Sequence, residues 1–159
     1  DGVDTYAHQA ALDCNGYTTS IVLDVNKIYP DHNKGLSNKI INCKGLLISE
    51  NPPGIIPAKN LFVQRNRLQC GLSEGVIPIE FNIDGGTMHT VKFSEQERRL
   101  IYCPDYREIP NHYERFSGVA KLIKENRAIP FTKMDYEDMI YSLNRKREYL
   151  LRKLNVDET

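Results

Sequence analysis

Hydrophobic residues recur at helical spacing near the start of the chain. After the turn-forming pair Asn15-Gly16, apolar side chains return every three to four positions until Pro30 interrupts the pattern. The residues of this stripe are Ile21, Val22, Val25, Ile28 and Tyr29. The spacing predicts a helix over residues 18–29, with Thr18 or Thr19 as its N-cap.

Strand patterns dominate the middle of the chain. The segments "KGLLIS" (44–49) and "LFVQ" (61–64) are short apolar runs, and a proline-rich loop separates them. Residues 75–103 alternate apolar and polar positions around the turn Asp84-Gly85-Gly86, which predicts a three-stranded antiparallel meander ending in a strand over 100–103. A sheet with one apolar face needs a covering element. The sequence therefore predicts an α+β fold in which the first helix packs on an antiparallel sheet.

Two helices are predicted towards the end of the chain. The first ends near Arg127, and the second spans residues 134–154 with Asp135 as its cap. The second helix is amphipathic and basic, a pattern typical of membrane-surface or RNA contacts and equally of a helix docked on its own domain with solvated charges. We predict a domain over residues 1–110 and a helical extension over 111–159 that docks on it or projects from it.

Charge is balanced over the whole chain. Of 159 residues, 21 are Lys or Arg and 21 are Asp or Glu, so the molecule carries no overall field that would attract nucleic acid or anionic lipid. Binding to either would need a local patch. No apolar run reaches the roughly 20 residues that cross a bilayer, and we expect no membrane partner.

Four cysteines stand far apart in the sequence, namely Cys14, Cys43, Cys70 and Cys103. They form no Cys-x-x-Cys pair and no zinc-ligand spacing with the four histidines, so neither a metal nor a cofactor is expected. Two disulfides in a secreted protein and four reduced thiols in an intracellular protein both fit this count. Three connectivities are open for two disulfides.

The order of these elements resembles a known fold. The resemblance rests on Cys14-Asn15-Gly16 with the helix that follows, on Pro57-Ala58 ahead of Phe62, and on residues 77–103. The arrangement is similar to the fungal guanyl-specific ribonucleases and, more closely, to the RNase-like secreted effectors of cereal powdery mildew fungi. The resemblance implies a curved antiparallel, ribonuclease-like sheet in the first domain.

The acid-base residues of that family are replaced in this chain. On the resemblance, Val76 takes the place of the family's glutamate, Thr90 that of its arginine, and Ala58 that of a loop histidine. Asp105 lies where the last histidine would stand. Since RNA cleavage needs a general acid and a general base, the resemblance implies a pseudoenzyme without catalytic residues.

The resemblance also implies a disulfide arrangement and a binding surface. A bridge between Cys14 and Cys103 would tie the N-terminal segment to the last core strand, which leaves Cys43 to pair with Cys70. The face of the former cleft would serve for binding. Its candidate residues are Glu80, Thr90, Lys92, Arg98 and Arg99. The last two, with Arg65 and Arg67, are candidates for RNA phosphate contacts or for surface ion pairs.

The leading functional hypothesis is a secreted fungal virulence or avirulence effector on a catalytically inactive scaffold. It would act as a monomer in the host cytoplasm and bind a host protein, such as a leucine-rich-repeat immune receptor, or RNA. A second hypothesis is an active ribonuclease rebuilt around Glu74, Glu80 and either His89 or His112. A third is an intracellular adaptor with reduced cysteines, whose helix 134–154 supplies the interface. RNA cleavage and free-thiol counts distinguish the three.

Overall fold

The chain folds into two compact units. The computed structural model describes residues 2–105, 107 and 115–156, with side chains up to residue 153. The first unit is Asp1–Leu68 and the second is Gln69–Thr159. Both units combine helices with parallel strands, so the fold is mixed α/β.

The first unit is built around a pair of short strands. Helix α1 (Val3–Asp13) precedes strand β1 (Thr19–Ile21), and a 3-10 turn (Asp31–Asn33) leads into α2 (Lys34–Asn42). Strand β2 (Leu46–Ile48) follows, and α3 (Lys59–Gly71) begins in this unit. Strands β1 and β2 are parallel, and α2 makes the crossover between them.

A glycine lets α2 pass close to the two strands. Gly45 is buried, and a Cβ there would lie 2.7 Å from Cγ2 of Ile40 and would overlap the carbonyl oxygen of Thr18. The adjacent Leu46 amide donates a hydrogen bond of 3.1 Å to that same Thr18 oxygen. Only glycine fits here, because any side chain would push α2 away from the start of the β1–β2 pair.

The second unit repeats the alternation of strand and helix. Its elements are β3 (Gly75–Val76), α4 (Thr87–Gln96), β4 (Leu100–Pro104), α5 (Ser117–Lys124), β5 (Ile129–Phe131), a 3-10 turn (Lys133–Asp135) and α6 (Tyr136–Val156). The three strands form a parallel sheet in the order β3-β4-β5, with Val76 opposite Ile101 and Tyr102 opposite Ile129. Helices α4 and α5 are therefore the crossover connections.

The central strand β4 carries the core of the second unit. Ile101 and Cys103 are buried with residues from α4, α5 and the loops beside them. These partners are Phe81, Val91, Phe116, Val119, Leu122 and Ala128. Gly118 belongs to the same arrangement, because a Cβ on it would overlap the ring of Phe81.

Four helices end in the same way. The second residue after each helix adopts a left-handed conformation. The amide of the residue that follows it donates a hydrogen bond to the carbonyl five positions earlier in the chain. These left-handed residues are Asn15, Lys44, Arg98 and Asn126, after α1, α2, α4 and α5 respectively. The backward hydrogen bonds are 2.8–2.9 Å long. This Schellman arrangement pairs carbonyls that a helix end would otherwise leave unsatisfied.

A capping box starts the last helical segment. The Thr132 hydroxyl accepts a hydrogen bond from the Met134 amide, and the Asp135 carboxylate accepts from the Thr132 amide at 2.7 Å. Thr132 is thus the cap and Asp135 its reciprocal partner. The sequence located this start correctly but assigned the cap to Asp135.

The predicted antiparallel meander is wrong. Of residues 75–103, only β3 and β4 are strands, these are parallel to each other, and α4 lies between them. The turn at residues 84–86 opens α4 instead of joining two strands. The curved antiparallel ribonuclease-like sheet is therefore absent from the described residues.

Two further elements differ from their predictions. Residues 18–29 contain the strand β1 and a loop instead of a helix, and residues 61–64 belong to α3 instead of a strand. The strands at 44–49 and 100–103 are confirmed as β2 and β4, and the two C-terminal helices as α5 and α6. The predicted domain boundary at residue 110 lies outside the described residues.

Candidate nucleic-acid interface

Two loops leave the carboxyl ends of β1 and β2 side by side. Since the strands are parallel and Ile21 pairs with Ile48, the loops 22–30 and 49–58 start from the same edge of the sheet. Ser49 and Asn51 both donate side-chain hydrogen bonds to the Leu23 carbonyl, at 2.7 and 3.3 Å. Ligands of parallel α/β proteins bind at this edge.

Asp24 joins the two loops through a buried carboxylate. The residue is only 4% exposed, and its oxygens accept the amide of Asn26 at 2.8 Å and the amide of Gly54 at 2.7 Å. The Gly54 and Asn26 hydrogen bonds hold the pKa of Asp24 below its usual value. The negative charge of Asp24 therefore stabilises the two loops. Gly54 adopts a positive φ of 88°, a conformation that glycine tolerates, and donates its amide to this carboxylate.

The ordered loops bring two aromatic rings together. Tyr29, on the loop after β1, lies 5.6 Å from Phe62 of α3 between ring centroids, with the planes tilted by 52°. The Tyr29 side chain is 60% exposed, whereas Phe62 is half-buried. The Phe62 ring is thus partly enclosed by the protein, and the Tyr29 ring is accessible to a ligand.

Basic residues of α3 accompany this aromatic pair. The Arg65 guanidinium lies over the Phe62 ring at 5.6 Å from its centroid, one turn along α3. Burial lowers the pKa of Arg65, against the opposing charge of Asp4, and its Nε has no hydrogen-bond partner among the described residues. Lys59 is exposed in the first turn of α3. Arg67 on the same helix forms an ion pair with Glu50.

This arrangement suits a ligand that has flat rings and a negatively charged backbone. Aromatic faces stack on nucleobases, and Lys and Arg neutralise phosphates. We define the stacking surface as Tyr29, Lys59, Phe62 and Arg65. Its charge is local, which is how a chain of zero net charge can still attract an anion.

The predicted binding residues of the second unit occupy other positions. Glu80 lies in the loop after β3 and pairs with Arg115 at 3.6 Å. Thr90 and Lys92 lie on α4, so they do not share the strand face that the meander prediction gave them. Arg98 follows α4 in the left-handed conformation, and Arg99 donates to the Gly71 carbonyl at 2.8 Å. Their role in binding stays a prediction.

The ribonuclease-type positions do not converge on one sheet face. Val76 lies on β3, Thr90 on α4, and Asp105 beyond β4, where Arg107 holds its pKa below the usual value. Ala58 starts α3 by accepting the Leu61 amide. His89 is exposed on α4, and His112 lies outside the described residues.

All four cysteines are free thiols in the structure. Cys14 and Cys43 are exposed at the ends of α1 and α2, while Cys70 and Cys103 are buried. Burial raises the pKa of Cys103 to about 12. The Cys70 thiol donates to the Thr90 carbonyl at 3.4 Å and accepts from the Ser94 hydroxyl at 3.2 Å. The predicted pairing of Cys14 with Cys103 and Cys43 with Cys70 followed from the family resemblance.

Sequence reasoning overlooked most of the stacking surface. Tyr29 counted as part of a helical stripe and Phe62 as part of a strand, so their contact could not be anticipated. The signal lay in the segment 59–65, where a lysine, an aromatic residue and an arginine follow one another at every third position. Of the four residues of the stacking surface, Arg65 was the one already named as a candidate for phosphate contact.

Two other kinds of site are absent from the described ranges. No group of three His, Cys, Asp or Glu side chains there is placed to hold a metal ion. Across the same ranges, none of the helices has the length and apolar character that crossing a bilayer requires.

Fold and site together define a class, the α/β proteins that present a ligand surface at the carboxyl ends of parallel strands. Comparison with known families is more specific. The family described as DNA recombination-mediator protein A matches residues 1–144. The chain belongs to this family.

Individual relatives agree with this assignment. The chain is 30% identical to protein Smf of Synechocystis sp. over 94% of its own length, and 39% identical to DNA processing protein DprA of Streptococcus pneumoniae over 64%. It spans 40% and 36% of those two proteins. The X-ray structure of the pneumococcal protein superimposes with a TM-score of 0.72 and 32% identity, covering 83% of this chain and 45% of that one.

A second solved structure shares the fold. It is that of DNA processing protein A from Helicobacter pylori, which is described as having a unique single-stranded DNA binding mode. The TM-score is 0.67 at 19% identity, with 86% of this chain and 71% of that chain covered.

The family corrects the functional predictions. The resemblance to fungal RNase-like effectors is wrong, because the matching relatives are bacterial DNA-processing proteins. The secreted location, the host cytoplasm and the immune-receptor partner are wrong with it. The disulfide pairing loses its basis for the same reason. The error arose because short motifs and an assumed antiparallel sheet were aligned on a chain whose strands are parallel.

Proposed function

We propose that this chain binds single-stranded DNA through the stacking surface at the carboxyl ends of β1 and β2. The observation that carries the proposal is the exposed Tyr29 ring beside Phe62, with the Arg65 guanidinium across the Phe62 face. Membership of a DNA recombination-mediator family supports it, as does the single-stranded DNA binding of the Helicobacter pylori protein.

The surface favours single strands because only unpaired bases can present their faces to a protein ring. Stacking of one base on an aromatic side chain contributes about 1–3 kcal/mol and tolerates any base. Lys59 and Arg65 would neutralise phosphates on either side of the stacked base, which adds a salt-dependent contribution. The expected recognition is therefore independent of sequence.

The proposal assigns binding to this chain and no bond cleavage. The four residues of the stacking surface can stack on bases and neutralise phosphate charges. Asp24 beside them is already committed to two backbone amides of the loops. The chain spans less than half the length of its Synechocystis and pneumococcal relatives, and we propose that the part of those proteins to which it corresponds is a DNA-binding part.

Replacing the aromatic rings tests the proposal. We expect Tyr29→Ala and Phe62→Leu each to weaken binding of a fluorescent oligothymidine by about 10-fold, since Tyr29→Ala removes the ring that stacks on a base and Phe62→Leu removes the ring that positions it. Phe62→Leu keeps the half-buried position apolar, and Phe62→Tyr should restore binding. The measurement is fluorescence anisotropy at fixed salt, with thermal unfolding as a check of folding.

Tyr17→Ala is the matched control, because Tyr17 is another exposed tyrosine of the first unit, on the segment before β1. Its binding should equal that of the wild type. Unchanged affinity in both Tyr29→Ala and Phe62→Leu would show that the stacking surface does not bind DNA.

A further inference from the structure

A second basic and aromatic surface lies on α6 in the other unit. At 3.6 residues per turn, one sector of about 120° on this helix contains four cations and a tyrosine. They are Arg145, Lys146, Tyr149, Arg152 and Lys153. Leu143 lies about 60° beyond the edge of the sector and faces the sheet, because a Cβ on Gly75 would lie 2.8 Å from its Cδ2. The helix is thus oriented by packing, with the basic sector beside the packed face.

Tyr149 stands at the centre of this sector. Lys146 Nζ lies 5.5 Å and Lys153 Nζ 5.2 Å from the centre of its ring. A hydrogen bond from Lys153, together with the charges of Lys153, Lys146 and Arg98, lowers the pKa of the Tyr149 hydroxyl. The side chain is nevertheless 50% exposed.

These cations form no ion pairs within the described part of the chain. Other arginines of the second unit have carboxylate partners, such as Arg127 with Glu95 and Glu125, and Arg115 with Glu80. Among residues 2–105, 107 and 115–153, no carboxylate forms an ion pair with the cations of the α6 sector or with Arg98. Several like charges gathered around one exposed ring create a local positive potential.

The surface lies beyond the residues matched to the family. The match to the recombination-mediator family ends at residue 144, and all five residues of the sector follow it. A property of this sector is therefore not inferred from the family match.

We infer that the α6 sector forms a second contact for single-stranded DNA, with Tyr149 stacking on a base and the flanking lysines and arginines binding phosphates. The spacing of cations on both sides of one aromatic ring favours a nucleotide strand, in which bases and phosphates alternate. The inference goes beyond the stacking surface on the first unit and uses none of its residues.

Salt dependence of DNA binding tests the inference. For single strands, each lost phosphate contact reduces the slope of log K against log salt by about 0.7, so Lys146→Gln with Lys153→Gln should reduce it by about 1.4. The same double variant should bind a long oligothymidine several-fold more weakly at low salt. Tyr149→Ala should weaken binding at all salt concentrations, and Tyr149→Phe should preserve it.

The matched control is Lys124→Gln with Lys133→Gln, which removes the same charge from exposed positions of the second unit outside the sector. Its slope and affinity should equal those of the wild type. Circular dichroism of each variant checks that α6 stays helical. An unchanged slope and affinity in Lys146→Gln with Lys153→Gln would overturn the inference.

The two proposals fail separately. If Phe62→Leu weakens binding and the α6 variants do not, the α6 contact is wrong and the stacking surface stands. If only the α6 variants weaken binding, the stacking surface is wrong. Vesicles containing anionic lipid serve as the competing probe. If the α6 variants lose vesicle binding but keep full DNA affinity, the sector is a membrane contact and the inference is wrong.

Discussion

At the scale of single residues, Asp24 shows how a charge near a binding surface can be structural. Its carboxylate accepts amides from two loops, and its pKa is lowered from the usual 3.8 by those hydrogen bonds. A carboxyl group with a lowered pKa stabilises the fold above its unfolded pKa, and this stabilisation is lost as the pH falls through the folded value.

We therefore expect Asp24→Asn to destabilise the protein at neutral pH, since one amide loses its acceptor. The variant should also lose less stability than the wild type between pH 4 and pH 2, because the titrating group is gone. Urea unfolding at several pH values, followed by circular dichroism, measures both effects. Asp84→Asn, at an exposed carboxyl, is the comparison variant. Parallel pH profiles for Asp24→Asn and the wild type would contradict this account.

Several residues of the candidate site could be singled out in the sequence, but their proximity in the fold could not be predicted. Arg65 was recognised as a cation that could contact phosphate, and the segment with Phe62 was singled out for another reason. Tyr29 is 33 positions earlier in the chain. Its approach to Phe62 depends on the parallel pairing of β1 and β2, which no local pattern in the sequence records.

At the scale of elements, prediction succeeded where the pattern was long and failed where strands were short. The helix at 134–154 and its start were found because 21 residues of amphipathic sequence leave little ambiguity. Strand β1 has three residues and is followed by buried Leu23, so its apolar run imitated a helical stripe. Short buried strands of parallel sheets cannot be distinguished from helix segments by periodicity.

The meander failed for a related reason. In α4 only Val91 and Ser94 are fully buried, so the helix presents a narrow apolar stripe that alternation can mimic. Residues 77–86 form an irregular connection in which Phe81 is buried while Ile77 and Ile83 are 41% exposed. Their alternation was real, but it belongs to a loop.

Helix α5 provides a test of close packing between elements. A Cβ at Gly118 would overlap the Phe81 ring and lie 2.8 Å from the Phe81 carbonyl oxygen, which accepts the Gly118 amide. We expect Gly118→Ala to destabilise the protein by about 1–3 kcal/mol, the usual cost of overpacking. Chemical denaturation measures the change in free energy of unfolding.

Gly86→Ala is the control, because a Cβ at Gly86 meets no atom within 4 Å and its φ is −56°. It should leave stability unchanged or raise it by up to about 1 kcal/mol. Equal stabilities for the two variants would show that the contact between α5 and Phe81 is looser than described.

At the scale of the whole molecule, the two units differ in how much apolar surface they bury. Among the described residues, the buried hydrophobic side chains of the first unit are Leu12, Leu23 and Ile40. The second unit holds all the others, including the cluster around Ile101 and Cys103. Local stability follows buried apolar contacts.

We expect native-state hydrogen exchange to be slower in β4 than in β1 and β2. Amides of Ile101 and Cys103 should exchange near the global rate, and those of Ser20 and Leu47 should exchange faster through partial opening. Saturating oligothymidine should slow exchange in the loops 22–30 and 49–58 if the stacking surface is the binding site. Equal protection of β1 and β4 without DNA would mean that the units unfold together.

The four Schellman turns set the entrance to β1, β2, β4 and β5 at three to five residues, whereas the exits from β1, β2 and β3 are loops of nine or ten residues. An insertion at an entrance would break the Schellman hydrogen bonds and shift a strand out of register, but an insertion in an exit loop away from the Asp24 and Leu23 hydrogen bonds would not. Variation among descendants of this sequence should therefore accumulate at one edge of each sheet. The architecture separates a fixed edge, which preserves the fold, from a variable edge on which new ligand preferences can evolve.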